Sequence, residues 1–139
     1  MTTKHIDAPE SPELYRILDA NLNRLKEGIR VVEDSARYLH NNPDIARALK
    51  ALRHQAKLDF PQELLTSRDA YNDVLRPTQK SELDRTNLES MLRANFKRAQ
   101  EASRVLEEYL KLINSEESET YKTIRYSLYS LEKDYLLSL

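Results

Sequence analysis

The chain of 139 residues is long enough for one domain with a buried core and too short for two full domains. Its single glycine, five prolines and 32% of charged residues favour long helices over β-hairpins. The 22 basic and 23 acidic residues leave a net charge of -1, which gives no overall attraction to nucleic acid or an anionic membrane. The lack of cysteine excludes disulfides, thiolate zinc sites and thiol nucleophiles.

Capping signals predict four long helices along the chain. The pairs Ser11-Pro12 and Asn42-Pro43 are typical of helix starts, and "SELD" and "TNLE" are both capping-box patterns. We therefore predict helices over about 12–40, 43–59, 82–112 and 115–138, with a short helical turn at "QELL" and a loop at 66–81. This pattern predicts an all-α fold in which two helical hairpins form a helix bundle, a single domain over residues 1–139.

A long polar segment occurs twice in the sequence. "DANLNRLKEGIRVVEDS" at 19–35 returns as "RANFKRAQEASRVLEEY" at 93–109, with Asn21 aligned to Asn95 at an offset of 74 residues. Arg53 and Arg125, at an offset of 72, extend the match into the second helix of each hairpin. Self-similarity at a fixed offset indicates duplicated units, so we expect the two hairpins to be related by a pseudo-twofold axis.

The repeat includes a mixed polar face beside the apolar stripe of each helix. The first copy carries Arg24, Glu27 and Gly28 on this face, and the second carries Arg98, Glu101 and Ala102 at the same helical angles. Small residues at positions 28 and 102 let a helix backbone or a ligand come close.

Two interpretations of this face are open. In the first, Arg24 pairs with Glu101 and Arg98 pairs with Glu27 in a structural polar seam. In the second, the two arginines converge with amide donors on a phosphate or diphosphate, because guanidinium groups bind phosphate oxygens bidentately. The amide donors would be Asn21 and Asn95.

The predicted loop contains a second candidate site in "SRDAYND". Arg68, Asp69 and Asp73 lie close together there, and the two carboxylates are suited to hold Mg²⁺ on substrate phosphates. Asp and Asn also stabilise turns by bonding their own backbone, which is the structural alternative.

Signatures of other site classes are absent from the sequence. Neither the glycine-rich nucleotide motifs nor the zinc motif with paired histidines occurs, and the three histidines share no metal-binding spacing. No apolar run approaches the length of a membrane span, and the N-terminus lacks the apolar stretch of a signal peptide. We therefore expect a cytoplasmic protein with neither a membrane nor a nucleic acid as its partner.

Four segments together resemble a known domain of thiamin biosynthesis. They are "YRILDANLNRLKEGIRVVEDSARY", "LKALRH", "SRD" followed by Asp73-Val74, and "RANFKRAQEASRVLEEY". The combination resembles the monofunctional, non-ribokinase-type hydroxymethylpyrimidine phosphate kinase, which exists alone or in front of thiamine phosphate synthase. The resemblance covers roughly residues 14–137. Where that family usually has glycine after Asp-Val, this chain has Leu75.

The resemblance implies a reaction and a set of roles. ATP, with Mg²⁺, would phosphorylate 4-amino-5-hydroxymethyl-2-methylpyrimidine phosphate to its diphosphate. Phosphate binding is expected from Arg24 and Arg98 with Asn21 and Asn95 as donors, a clamp from Arg68, metal ligation from Asp69 and Asp73, orientation from Glu27 and Glu101, and further substrate contacts from Arg53 and Arg125.

Other hypotheses give the chain a different kind of role. One is a non-catalytic helical regulatory or oligomerisation domain of a thiamine phosphate synthase, and the other is an unrelated helical scaffold whose duplicated face only packs. The expected partners are the phosphorylated pyrimidine and ATP, with a functional link to thiamine phosphate synthase. Long amphipathic helices with two such faces are also compatible with a homodimer.

Overall fold

The computed structural model describes residues 11–77 and 87–139. These residues form five α-helices and one π-helical turn, and none of them lies in a β-strand. The helices are α1 (Pro12–Asp34), α2 (Pro43–Gln55), α3 (Pro61–Ser67), α4 (Leu88–Leu110) and α5 (Ser115–Leu137), and the π-helical turn is Ser35–Leu39. The prediction of an all-α helix bundle is therefore confirmed.

Short polar side chains begin four of these helices. The Ser11 hydroxyl accepts a hydrogen bond from the Leu14 amide at 3.2 Å. The side-chain oxygens of Asn42, Asn87 and Asn114 accept equivalent amide bonds at the starts of α2, α4 and α5. Residues 78–86, which include the predicted start of the third long helix at about residue 82, lie outside the described part of the chain.

The end of α2 differs from its prediction. Helical geometry stops at Gln55 instead of continuing to about residue 59, and Ala56 has φ -78° and ψ 85°. Ala56 and Leu58 are both buried, although residues two apart lie on opposite sides of a helix. Burying both requires the chain to leave the helix here, and Pro61 then begins α3.

Helices α1 and α4 form the central pair of the bundle. Each packs against the second helix of its own hairpin, and α3 packs on α1. Leucine, isoleucine, valine and phenylalanine side chains on the facing stripes of α1 and α4 form the middle of the core, including Leu18, Leu25, Ile29, Leu92, Phe96 and Leu106. The duplicated segments thus face each other at the centre of the fold.

Gly28 lies where α1 packs closely against α4. A Cβ atom built on Gly28 would be 3.0 Å from the Asn95 carbonyl oxygen and 3.3 Å from the Ala99 Cβ. Since these atoms belong to a helix backbone and a methyl group in the core, little space remains for a side chain. The chain's only glycine is therefore used for helix packing.

None of the helices in residues 11–77 and 87–139 has the length and apolar character that a membrane span requires.

Candidate functional site

A polar cleft of about 680 Å³ lies between α1 and the segment that follows α3. It brings together six of the predicted site residues: Asn21, Arg24 and Glu27 from α1, and Arg68, Asp69 and Asp73 from the segment after α3. Arg16 and Asp19, which the sequence analysis did not select, also line it. Two separate sequence predictions thus meet in one cleft.

Asp19 and Arg68 form an ion pair in the lining of this cleft. Arg68 Nε lies 2.7 Å from Asp19 Oδ2, and Arg68 Nη2 lies 2.8 Å from Asp19 Oδ1. Asp19 is only 6% exposed, whereas the Arg68 side chain is about half exposed. The hydrogen bonds to Asp19 raise the pKa of the Arg68 guanidinium. The two hydrogen bonds to Asp19 use one edge of the guanidinium, and the remaining N–H donors of Arg68 stay available to an anion.

Asp69 and Asp73 lie in turns beside Arg68. Asp69 accepts hydrogen bonds from the Asn72 side chain at 2.7 Å and the Asn72 amide at 3.2 Å, and both bonds lower the pKa of the Asp69 carboxyl. Asp73 accepts from the Leu75 amide at 3.0 Å. Each carboxylate therefore stabilises its own turn, as the structural alternative predicted, and still has oxygen lone pairs for a further ligand.

The donor set fits magnesium held jointly with a phosphate. Within residues 11–77 and 87–139, no group of three or more His, Asp or Glu side chains is arranged to hold a metal ion. Mg²⁺ commonly takes one or two carboxylates and completes its shell with water and substrate phosphates, so two aspartates suffice for that mode. Asp69 and Asp73 are the residues that would hold it.

Leu75 occupies the position where the resembling family usually has glycine. In the described part of the chain, Asn41 is the only residue other than glycine with positive φ. Leu75 therefore adopts a backbone conformation that any L-residue tolerates, and this turn does not require the conformational freedom of glycine.

The second copy of the repeat does not contribute to this cleft. Asn95, Arg98 and Glu101 are absent from its lining, which comes from α1 and from residues 68–73. The expected convergence of Arg24 and Arg98 in one site is therefore not found in this cleft. Its lining comes from the first hairpin and the segment that follows it.

The alternative polar seam is not found either. Arg24, Glu27, Arg98 and Glu101 are all exposed. Among the ion pairs of residues 11–77 and 87–139, none joins Arg24 to Glu101 or Arg98 to Glu27. These four side chains are exposed to solvent, where an ion pair would add little stability.

Asn21 and Asn95 use their side-chain donors within their own helices. Asn21 Nδ2 donates to the Ile17 carbonyl and Asn95 Nδ2 donates to the Met91 carbonyl, each at 2.9 Å. Both asparagines are buried. The expected donors to a phosphate are thus engaged in a symmetric intrahelical contact, although Asn21 also lines the cleft.

Arg53 and Arg125, expected to contact substrate, hold the hairpins together. Arg53 bonds Glu33 at 2.7 and 3.1 Å, and Arg125 bonds Glu107 at 2.9 and 3.1 Å. Both glutamates are buried, so each arginine neutralises a carboxylate between the two helices of its hairpin.

The repeat could have indicated two structurally important acidic residues that were not predicted, but it could not have indicated a third. Glu33 and Glu107 occupy matching positions in the repeat, so they could have been paired with the repeated arginines. Asp19 had no such signal, because its repeat position is occupied by Arg93 and its partner Arg68 is 49 residues away.

Comparisons with known proteins assign the chain to a family. It is 41% identical over 122 residues to the thiamine-phosphate synthase of Nostoc punctiforme, an alignment of 87% of this chain and 35% of that protein. It is 42% identical over 127 residues to the thiamine-phosphate synthase of Thermosynechococcus vestitus, with 91% of this chain and 36% of that protein aligned. The chain thus spans about a third of the length of these relatives. No solved structure gives a significant match. The profile of the ThiD2 family matches residues 16–134, and the chain belongs to that family.

Proposed function

We propose that this chain acts in thiamin biosynthesis as a phosphotransferase that converts 4-amino-5-hydroxymethyl-2-methylpyrimidine phosphate into its diphosphate, with ATP as the phosphoryl donor. The relatives named thiamine-phosphate synthase support the pathway. The observation that carries the reaction type is the cleft in which Arg24 and Arg68 lie beside Asp69 and Asp73. This combination of guanidinium and carboxylate groups suits two phosphates with a magnesium ion.

The reaction demands little acid–base chemistry from the protein. The second pKa of a phosphate monoester is about 6, so the acceptor is largely dianionic at neutral pH and needs no general base. An acceptor phosphate oxygen forms a bond to the γ-phosphorus of ATP. The bond from that phosphorus to the bridging oxygen breaks, and ADP leaves with the electron pair.

The residues of the cleft supply charge and position. Arg68, oriented by Asp19, would bind the phosphate oxygens with its free edge, and the exposed Arg24 would add a second positive charge. Magnesium, when bound, would neutralise charge on the transferred phosphoryl group. Asp69 and Asp73 are suited to hold that ion, because both line the cleft beside Arg68.

A second candidate is a non-catalytic helical domain that binds a phosphorylated ligand of the same pathway and regulates thiamine phosphate synthase. The names of the relatives favour it, because they specify a synthase and no kinase, and the chain matches about a third of their length. The turn bonds of Asp69 and Asp73 are also compatible with it. Both candidates use the same cleft and differ in whether the ligand is turned over.

A coupled assay of ADP release with the pyrimidine monophosphate, ATP and Mg²⁺ separates the two. For the phosphotransferase we expect turnover that falls at least about a hundredfold in Arg68→Ala, because a charged donor to the transferred group is lost. Arg93→Ala, which removes an exposed arginine outside the cleft, is the matched control and should retain activity. Pyrimidine phosphate binding without turnover in folded protein would favour the regulatory domain. If neither binding nor turnover is detected, both candidates fail.

A further inference from the structure

A second charged groove lies beside the cleft along α1. Its volume is about 640 Å³, and it is lined by Lys26, Glu27, Arg30, Arg53, His54 and Lys57. Glu27 is the one residue that lines both this basic groove and the cleft. The two openings are therefore neighbours along α1, separated by a carboxylate.

The cations of the basic groove fall into two groups. Arg53 is bound to the buried Glu33, and Arg30 lies 3.2 Å from Asp34. Among the ion pairs of the described residues, Lys26 and Lys57 take part in none. Two lysine ammonium groups are thus available to an anion, in a groove already lined by two arginines.

Carbonyl groups at and just after the end of α2 accept hydrogen bonds. The Ala56 amide donates to the carbonyls of Leu52 and Arg53, and the Lys57 amide donates to that of Gln55. The buried hydroxyl of Tyr121 donates to the Lys57 carbonyl at 2.6 Å. These bonds pair carbonyls at and just after the end of α2 that have no further helical turn to bond.

The helix dipole of α2 explains only some of the basic residues in the groove. Cations in and just after the last turn of α2 are expected at a helix C-terminus, which accounts for Arg53, His54 and Lys57. Lys26 belongs to the middle of α1, where no helix end requires a cation. The position of Lys26 in the same groove as Lys57 therefore has no explanation in the helix dipole.

The second hairpin serves as an internal comparison. It keeps arginines at the positions of Arg30 and Arg53, namely Arg104 and Arg125. It replaces Lys26, His54 and Lys57 by Gln100, Tyr126 and Tyr129. There the Arg125 guanidinium lies 4.9 Å from the centroid of the Tyr126 ring. Both hairpins keep the Glu–Arg pair, so it belongs to the shared framework. Because α5 continues to Leu137, Tyr126 and Tyr129 are not at a helix end, and the comparison shows only that the framework does not require Lys26.

We propose that the basic groove binds the polyphosphate chain of a nucleoside triphosphate, so that its terminal phosphate meets the acceptor phosphate in the neighbouring cleft. The assignment of these two ligands rests on the proposed phosphotransferase function. The groove offers ammonium and guanidinium donors to a linear polyanion, and Glu27 separates it from the second anion. Two adjacent sites are what transfer between two phosphorylated substrates requires.

Equilibrium binding tests this assignment without turnover. The double variant Lys26→Gln/Lys57→Gln should bind ATP and inorganic tripolyphosphate at least about tenfold more weakly by calorimetry, because two charge-assisted contacts are lost. Lys97→Gln/Lys133→Gln removes the same charge from exposed positions outside both openings and should change either affinity less than about twofold. Pyrimidine monophosphate affinity should be unchanged in both, and adenosine should not bind detectably through this groove.

The possible results distinguish a failure of the groove assignment from a failure of the proposed reaction. Unchanged ATP and tripolyphosphate affinity in Lys26→Gln/Lys57→Gln overturns the groove, even where the enzyme turns over. Equal losses in both double variants overturn it as well, because the effect would then come from net charge. Selective loss in a protein without kinase activity leaves the groove standing as a polyphosphate site and removes the reaction.

Discussion

The two hairpins have the same framework and different surfaces. Both begin their second helix with an asparagine cap, both place an asparagine against the preceding turn of their first helix, and both bury a glutamate against an arginine. They differ at residues that line the cleft or the basic groove of the first hairpin, with Asp19 against Arg93, Lys26 against Gln100 and Lys57 against Tyr129. Comparison of the two copies therefore distinguishes charged residues that both hairpins need from charged residues that only the first hairpin has at its cleft and groove.

The largest expected effect concerns the shared framework. Arg53→Ala leaves Glu33, which is 2% exposed, without its partner, and should lower the free energy of unfolding by about 3 kcal/mol in urea titrations. Arg125→Ala should cost less, because Arg104 still lies 3.2 Å from Glu107. Arg93→Ala, an exposed pair with Glu89, is the control and should stay within about 0.5 kcal/mol. Losses as small as the control would show that the buried pairs do not hold the hairpins.

A second prediction concerns Asp19, which only the first hairpin has. Asp19→Asn removes the carboxylate that holds Arg68 and the segment after α3 against α1. We expect the affinity for the pyrimidine monophosphate to fall about tenfold, as when the partner that orients a ligand-binding group is lost. Calorimetry measures this, with the exposed Asp44→Asn as the charge control. A rise in affinity would mean that Asp19 acts as a competing anion and not as a positioning residue.

The smallest expected effect is a pH dependence at the start of α5. Burial, followed by the negative charge of Asp59, raises the pKa of the Glu117 carboxyl above its ordinary value of 4.5. The repeat position in the first hairpin holds the buried Ile45. Because the pKa is raised in the folded state, protonated Glu117 stabilises the fold relative to the unfolded chain. This stabilisation is fully present below pH 4.5 and is lost as the pH rises through the raised pKa.

Glu117→Gln should therefore increase the unfolding free energy at pH 7, by less than about 1 kcal/mol because the carboxyl keeps contact with solvent. Denaturation at pH 4 and pH 7 measures the difference between the two conditions. Glu116→Gln, in the same helical turn, controls for the interaction of a carboxylate with the helix dipole. If the two variants respond to pH identically, the raised pKa of Glu117 has no effect on stability.

Local signals in the sequence were sufficient for the helices and insufficient for the site. Asn42 and Pro43 determine the start of α2 through their own side chains, so a short pattern predicts it. The end of α2 depends on where Leu58 finds space in the core, which no local pattern contains. The pairing of Asp19 with Arg68 likewise joins distant parts of the chain. The repeat identified the symmetric residues, whereas one wall of the cleft is a segment that has no counterpart in the repeat.

The π-helical turn of the first hairpin shows how the duplicated units tolerate a change of length. The copies are offset by 74 residues along α1 and α4 but by 72 along α2 and α5, so the first connection contains the longer loop. The His40 amide donates to the Ser35 carbonyl, the Asn42 amide donates to the Ala36 carbonyl, and Asn41 has a φ of 48°. This widened turn absorbs the additional chain, and Asn42 still caps α2. The connection is therefore the natural position for an engineered insertion, such as a spectroscopic label or a spacer, because it already accommodates extra residues without displacing the helix that follows.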